Sequence, residues 1–206
     1  MITPLAASPV EQPAPHPDTI ARAGEWLFRN RGWIPAPFAA LPLLGTGELT
    51  ALTWITGGAV MTAGEALRVW GVATAGPETR RRSRDVARLV THGPFAFVRN
   101  PIYLGNLLMW LGFGIAAGTM WFVPVAATLF AAEYGLIVRF EERELLAAFG
   151  AEYERYRERT DRWIPRMPES GARNGLAWGP ALRRETMTVA LVAILLIALV
   201  LRRSVA

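Results

Sequence analysis

The sequence predicts an all-α protein, an integral membrane helical bundle of about five spans with amphipathic helices on its cytoplasmic side. Three observations carry that expectation. More than half of the 206 residues are hydrophobic (52%) and mean hydropathy is +0.24, too apolar for an ordinary soluble domain of this length. The apolar residues fall into separate runs, each near the length of a membrane-crossing helix. The basic residues, all of them arginine, collect between and after those runs.

Residues 1–18 hold prolines at 4, 9, 13, 15 and 17 without a basic start or an apolar stretch, and read as a disordered Pro-rich tail rather than a signal peptide. A membrane domain is expected over 19–165. From Thr19 to Gly32, Ile20, Ala23, Trp26 and Leu27 recur at helical spacing against Arg22, Glu25, Arg29 and Arg31, which predicts a short helix lying in the interface. The run 33–47 is interrupted by Pro35, Pro37 and Pro42; a first span, tilted or kinked, is expected there, with a re-entrant segment as the alternative. A second span covers 49–67. A polar segment, 75–99, then carries Arg80, Arg81, Arg82, Arg84 and Arg88.

The third and fourth spans, 101–118 and 120–138, are separated by almost nothing, so an antiparallel hairpin follows. Gly105, Gly112, Gly114 and Gly118 would let neighbouring helices approach closely. Residues 140–159 continue as an amphipathic helix with Leu145, Leu146, Phe149, Tyr153 and Tyr156 on one stripe. A linker is expected over 166–184 and a C-terminal transmembrane helix over 185–206, its apolar run at 187–201.

Five spans with a cytoplasmic N-terminus would leave every arginine except Arg202 and Arg203 on the cytoplasmic side, a strong positive-inside signal. That distribution assigns the basic charge to a membrane rather than to nucleic acid. The absence of cysteine excludes disulfides, thiolate metal sites and a cysteine nucleophile. The absence of lysine excludes Schiff-base chemistry. His16 and His92 are too far apart in sequence to suggest a metal site.

Chemistry is expected where the third span starts. Asn100-Pro101 is a helix start, because asparagine can cap the free N–H groups of the first turn and proline fits the first helical position. The positive end of that helix dipole lies beside Arg99 and Tyr103. Antiparallel pairing would bring these residues next to Arg139, Glu141 and Glu142 at the end of the fourth span, and charged groups at such a place are functional candidates. Glu65 either lines the same cavity or pairs with Arg68 at i,i+3.

The run R-L-V-T-H-G-P-F-A-F-V-R-N-P-I-Y-L-G from Arg88 to Gly105, the upstream G-E-A-L-R-V-W from Gly64 to Trp70, Glu141-Glu142, and F-G-x-x-Y-x-x-Y ending in R-W-I-P together resemble the membrane-embedded isoprenylcysteine carboxyl methyltransferase and phospholipid methyltransferase family. The resemblance covers 64–165. It implies S-adenosylmethionine as cofactor, with a binding surface on Leu89, Val90, Phe95, Asn100, Pro101, Tyr103 and Glu141. Arg99 and the helix N-terminus suit the carboxylate of that cofactor, and Glu141 or Glu142 its ammonium or an adenosine hydroxyl. Arg139 would orient a carboxylate acceptor, whereas an amine acceptor would ask Glu142 or His92 to take a proton. Three positions depart from the family pattern: Ala87 and Asn100 stand where histidine is usual or frequent, and Phe95 stands where tyrosine is common.

The expected activity is therefore methyl transfer from S-adenosylmethionine to a lipid-like substrate, first the carboxylate of a prenylcysteine-type acceptor, then the amine of a phospholipid headgroup. The expected partners are this substrate and membrane lipids, with no nucleic acid and no metal. An NADPH-dependent membrane reductase, which resembles the same C-terminal signature, and a non-catalytic membrane scaffold are the rival readings.

Overall fold

The computed structural model describes residues 19–32, 34, 37–38, 40–45, 47–76, 88–168 and 178–205. The expected Pro-rich tail, Ala87, the run Arg80 to Arg84 and residues 169–177 of the expected linker lie outside them, while 178–184, also expected as linker, are already helical and open the last helix. Among the described residues there are six α-helices and no strand. In chain order they are α1 (Thr19–Asn30), α2 (Ala51–Ala75), α3 (Pro101–Ala116), α4 (Phe122–Phe149), α5 (Ala151–Arg159) and α6 (Trp178–Val205).

Among the described residues one helix, α4, is long and apolar enough to cross a membrane by length and composition; Pro101–Ala116 and Thr188–Leu201 are shorter apolar helices. At 1.5 Å per residue its 28 residues reach about 42 Å, beyond a hydrocarbon core of about 30 Å. The surplus is its polar C-terminal part, where Glu141 and Glu142 sit.

The expected first span is not a continuous helix. The described residues of 33–47 are broken into turns, two helical residues at 37–38 and one short 3-10 turn, Leu41–Leu44, because three prolines in eight positions remove backbone donors and clash with the preceding turn. The segment instead packs on the α3–α4 connection, where the Thr119 hydroxyl donates to the Pro42 carbonyl at 3.1 Å.

α2 starts at a reciprocal cap between Thr50 and Thr53: each backbone N–H donates to the other's hydroxyl, at 3.0 and 3.1 Å. It then runs antiparallel to α3 along a seam of glycines spaced by seven. A Cβ placed at Gly64 would stand 2.7 Å from the Gly105 carbonyl oxygen, and one at Gly112 would stand 2.7 Å from that of Gly57. Two backbones this close gain dispersion over their whole length, the main source of helix association in lipid. The tightest partner of α3 is thus α2, its distant neighbour in sequence, rather than α4.

α1 lies on α4 through Gly24, where a Cβ would meet the Leu136 carbonyl oxygen at 2.7 Å, and through Phe28, whose ring sits 5.6 Å from that of Phe140. Leu27 faces the same way, whereas Trp26 stays exposed. α6 closes the other side, with Leu199 buried against Met61, Phe113 and Ala117. The expected single helix 140–159 is broken at Gly150, whose φ of +48° only glycine adopts readily. The break lets α5 turn back and bury Tyr153.

Candidate active site

The site forms at the end of the bundle where α3 begins and α4 ends. Phe95 lies in a 3-10 turn, Gly93–Ala96, that holds the approach to α3; Leu89 and Val90, half-buried, lead into it. Pro101 occupies the first position of α3 and is fully buried. Asn100 does not cap the helix with its side chain. Its amide donates instead to the Arg162 carbonyl at 3.1 Å, so the residue that starts α3 also fastens the segment after α5. The same segment is held by the Arg99 N–H donating to the Asp161 carbonyl (2.9 Å) and the Arg166 N–H donating to the Phe97 carbonyl (2.8 Å). Tyr156 adds a hydroxyl bond to the Phe95 carbonyl at 2.8 Å. Burial raises the pKa of this phenol. Tyr153 is pushed up to about 12 by burial and then by the Glu142 charge.

The outer layer of the site is an ion triplet. Glu142 receives two bonds from the Arg162 guanidinium, Nε at 2.9 Å and Nη2 at 2.5 Å, and Arg99 stands 3.3 Å from the same carboxylate. Only about a tenth of the Arg99 and Glu142 side chains is exposed. The bond to Glu142 raises the pKa of Arg162. Arg99 is incompletely satisfied: its Nε and Nη1 are buried and have no partner among the described residues. Buried guanidinium donors are costly to leave unpaired, so an anion arriving there would find donors already in place.

The inner layer holds Tyr103 and Glu141. The Tyr103 hydroxyl donates to Glu141 Oε1 at 2.8 Å, and the Arg31 charge acts on both groups. The Tyr103 ring lies 4.7 Å from that of Tyr134, which packs on Phe130 at 4.6 Å; Phe130 meets Trp163 at 5.3 Å. Beneath them Glu65 and Arg68 form the i,i+3 pair at 3.2 Å, and Arg68 donates to Asn106 Oδ1.

Two of the sequence expectations change. Arg139 is exposed and stays outside the cluster, because two residues along a helix turn a side chain nearly to the opposite face from Glu141. Glu142 is clamped between two arginines, so its oxygens are taken up in anchoring them rather than open to an acceptor. Leu89, Val90, Phe95, Arg99, Asn100, Pro101, Tyr103 and Glu141 all lie on the segment leading into α3, on its first turn or at the facing end of α4. Sequence reasoning missed Arg162, Arg31, Asn106 and Tyr134. Tyr134 stands seven residues before Glu141, two helical turns on one face, and Asn106 stands three after Tyr103; that spacing was the available signal.

A family model described as phospholipid methyltransferase matches residues 50–152, half of the chain, from the start of α2 into α5. The chain belongs to this family. Curated relatives extend the match. The human protein-S-isoprenylcysteine O-methyltransferase is 30% identical over 128 residues, 57% of this chain and 44% of that protein. A cobalt-zinc-cadmium resistance protein, CzcN, of Cupriavidus metallidurans is 39% identical over 79 residues, 38% of this chain and 36% of its own length. A methanethiol S-methyltransferase 2 of Bradyrhizobium diazoefficiens is 38% identical over 74 residues, 35% and 27%. The chain thus spans less than half the length of the relatives it matches. The matched range takes in Arg99, Tyr103, Tyr134, Glu141 and Glu142, whereas Arg31 precedes it and Arg162 and Trp163 follow it.

Proposed function

We propose that this chain is a multi-pass membrane methyltransferase that binds S-adenosylmethionine at its cytoplasmic end and methylates the carboxylate of a lipid-like, prenylcysteine-type acceptor. The observation that supports it best is Arg99, whose buried Nε and Nη1 lack partners among the described residues beside the N-terminus of α3. The donors fit the cofactor's carboxylate, with the helix dipole adding to them. Glu141, buried on the other side and held by Tyr103, suits the ammonium or a ribose hydroxyl. These residues would hold S-adenosylmethionine, which would supply a methyl group from its sulfonium, the electron pair of the C–S bond remaining with sulfur.

The residues align rather than activate. Glu142 fixes Arg99 through the ion triplet, and Arg162 pins the segment carrying Trp163 over Phe130, which excludes water. An ionised carboxylate needs no base, which agrees with a site where Glu142 is occupied. Family membership and the identity to an isoprenylcysteine methyltransferase support the reaction class. The arginine distribution supports a cytoplasmic site, and the apolar α3, α4 and α6 support lateral entry of the acceptor from the bilayer.

One observation favours an amine acceptor as the second reading. Burial, and then Arg88, lower the pKa of His92, which favours the neutral imidazole that a proton acceptor has to be.

Calorimetric titration of the detergent-purified chain with S-adenosylhomocysteine, in parallel with NADPH, tests the cofactor. Binding of the former is expected, weakened at least tenfold by Arg99→Ala and by Glu141→Ala. Binding of NADPH instead would favour a reductase, and binding of neither a scaffold. Radiolabelled methyl transfer to S-farnesylcysteine against phosphatidylethanolamine then separates the two acceptors.

A further inference from the structure

Below the cofactor layer runs a chain of hydrogen bonds that the proposed cofactor contacts do not use. Arg68, mostly buried on α2, gives Nε to Glu65 at 3.2 Å, Nη1 to Asn106 Oδ1 and Nη2 to the Thr188 hydroxyl of α6 at 3.3 Å. A guanidinium only donates. The Asn106 amide must therefore turn its oxygen to Arg68 and its nitrogen the other way, which removes the usual ambiguity between the two ends of an amide. Asn106 Nδ2 then donates to the Tyr134 hydroxyl oxygen at 3.0 Å.

The direction of each bond is forced by the one before it. The Tyr134 oxygen receives, so its own hydrogen has to be given elsewhere. Among the described residues no acceptor takes it, although Tyr134 is 3% exposed. A buried hydroxyl hydrogen without an acceptor is costly unless a ligand supplies one. Its ring is 4.7 Å from Tyr103, whose hydroxyl is bound to Glu141, so the spare donor lies among the aromatic rings adjoining the cofactor residues.

We propose that Tyr134 is the hydrogen-bond donor that holds the methyl acceptor, and that Arg68 and Asn106 are positioning residues which set the direction of its donation. The inference rests on the carboxylate reading above. A carboxylate has two oxygens, one to accept from Tyr134 and one left free to attack. An amine has a single lone pair, which the same bond would occupy. The chain from Arg68 therefore selects oxygen-rich acceptors against amines.

The test uses the full chain in detergent with S-farnesylcysteine as probe, its binding followed by tryptophan fluorescence, its methylation by radiolabel, and S-adenosylhomocysteine affinity by calorimetry. Tyr134→Phe removes one hydroxyl and is expected to raise both the Kd and the KM for the probe roughly tenfold or more, as the loss of a bond to a charged group does. The affinity for S-adenosylhomocysteine should stay within about twofold. Asn106→Asp is expected to produce the same loss, because a carboxylate would itself accept the Tyr134 hydrogen, and combining the two should add nothing further. An unchanged Kd and KM in Tyr134→Phe, with the unsubstituted protein active, overturns this inference alone. A parallel loss of S-adenosylhomocysteine affinity would also overturn it, by making Tyr134 a cofactor residue. An unsubstituted protein that binds S-adenosylhomocysteine and not the probe overturns the acceptor reading and this inference with it.

Discussion

Glu142 illustrates how a side chain's neighbours decide its chemistry. In the sequence it is one of two adjacent carboxylates at a helix end, equally suited to bind, to accept a proton or to face solvent. In the fold it lies between Arg99 and Arg162, 13% exposed. Removing it would leave two cations facing each other, one of them mostly buried. Glu142→Ala is therefore expected to cost about 3–5 kcal/mol, the usual penalty for breaking a buried pair from one side. Arg162→Ala should cost less, because that side chain is 36% exposed and Arg99 still neutralises the carboxylate. Thermal unfolding of the two variants in one detergent checks the order; a larger loss for Arg162→Ala would mean that the guanidinium bonds, not the charge balance, hold the segment.

At the scale of elements, the α2–α3 seam carries the architecture, and it makes a sharp contrast between glycines of the same helix. Gly57 and Gly64 face α3 backbone, whereas a Cβ at Gly58 would meet nothing within 4 Å. Gly64→Ala should push the helices apart and destabilise by about 1–3 kcal/mol, as overpacking does. Gly58→Ala should instead gain up to about 1 kcal/mol of helix propensity. Unfolding midpoints of the two variants, opposite in sign relative to the parent, would confirm the seam. The glycines at 105 and 112 are readable in the sequence as sites of close approach, yet their partner is not. Proximity in sequence points α3 towards α4, while the seven-residue spacing shared by Gly57, Gly64 and Gly71 with Gly105 and Gly112 points it to α2.

For the whole molecule, the site and the last helix are held by different contacts. α6 packs through Leu199 on Met61, Phe113 and Ala117 and touches the polar chain through Thr188. The ion triplet and the backbone bonds of Asp161 and Arg166 close without it. A chain ending at Pro168 is expected to unfold roughly 5 °C lower, equivalent to about 2 kcal/mol at this size, while keeping S-adenosylhomocysteine affinity within about threefold. Calorimetric titration of the shortened chain measures this, and a tenfold loss would place α6 in the cofactor site.

The sequence by itself determined the helical class and the start of α3 at Pro101, and it offered the pairing of Glu65 with Arg68 as one of two readings, because each follows from local spacing or composition. It could not keep 33–47 from being read as a span, since the apolar run and its prolines compete and packing on Thr119 settles the outcome. Tertiary structure alone decided that Asn100 binds Arg162 rather than its own helix, that Arg139 turns away, and that Glu142 is shared by two arginines. Those contacts join residues 20 to 62 positions apart, and no local pattern encodes a hydrogen bond whose partner is chosen by the fold.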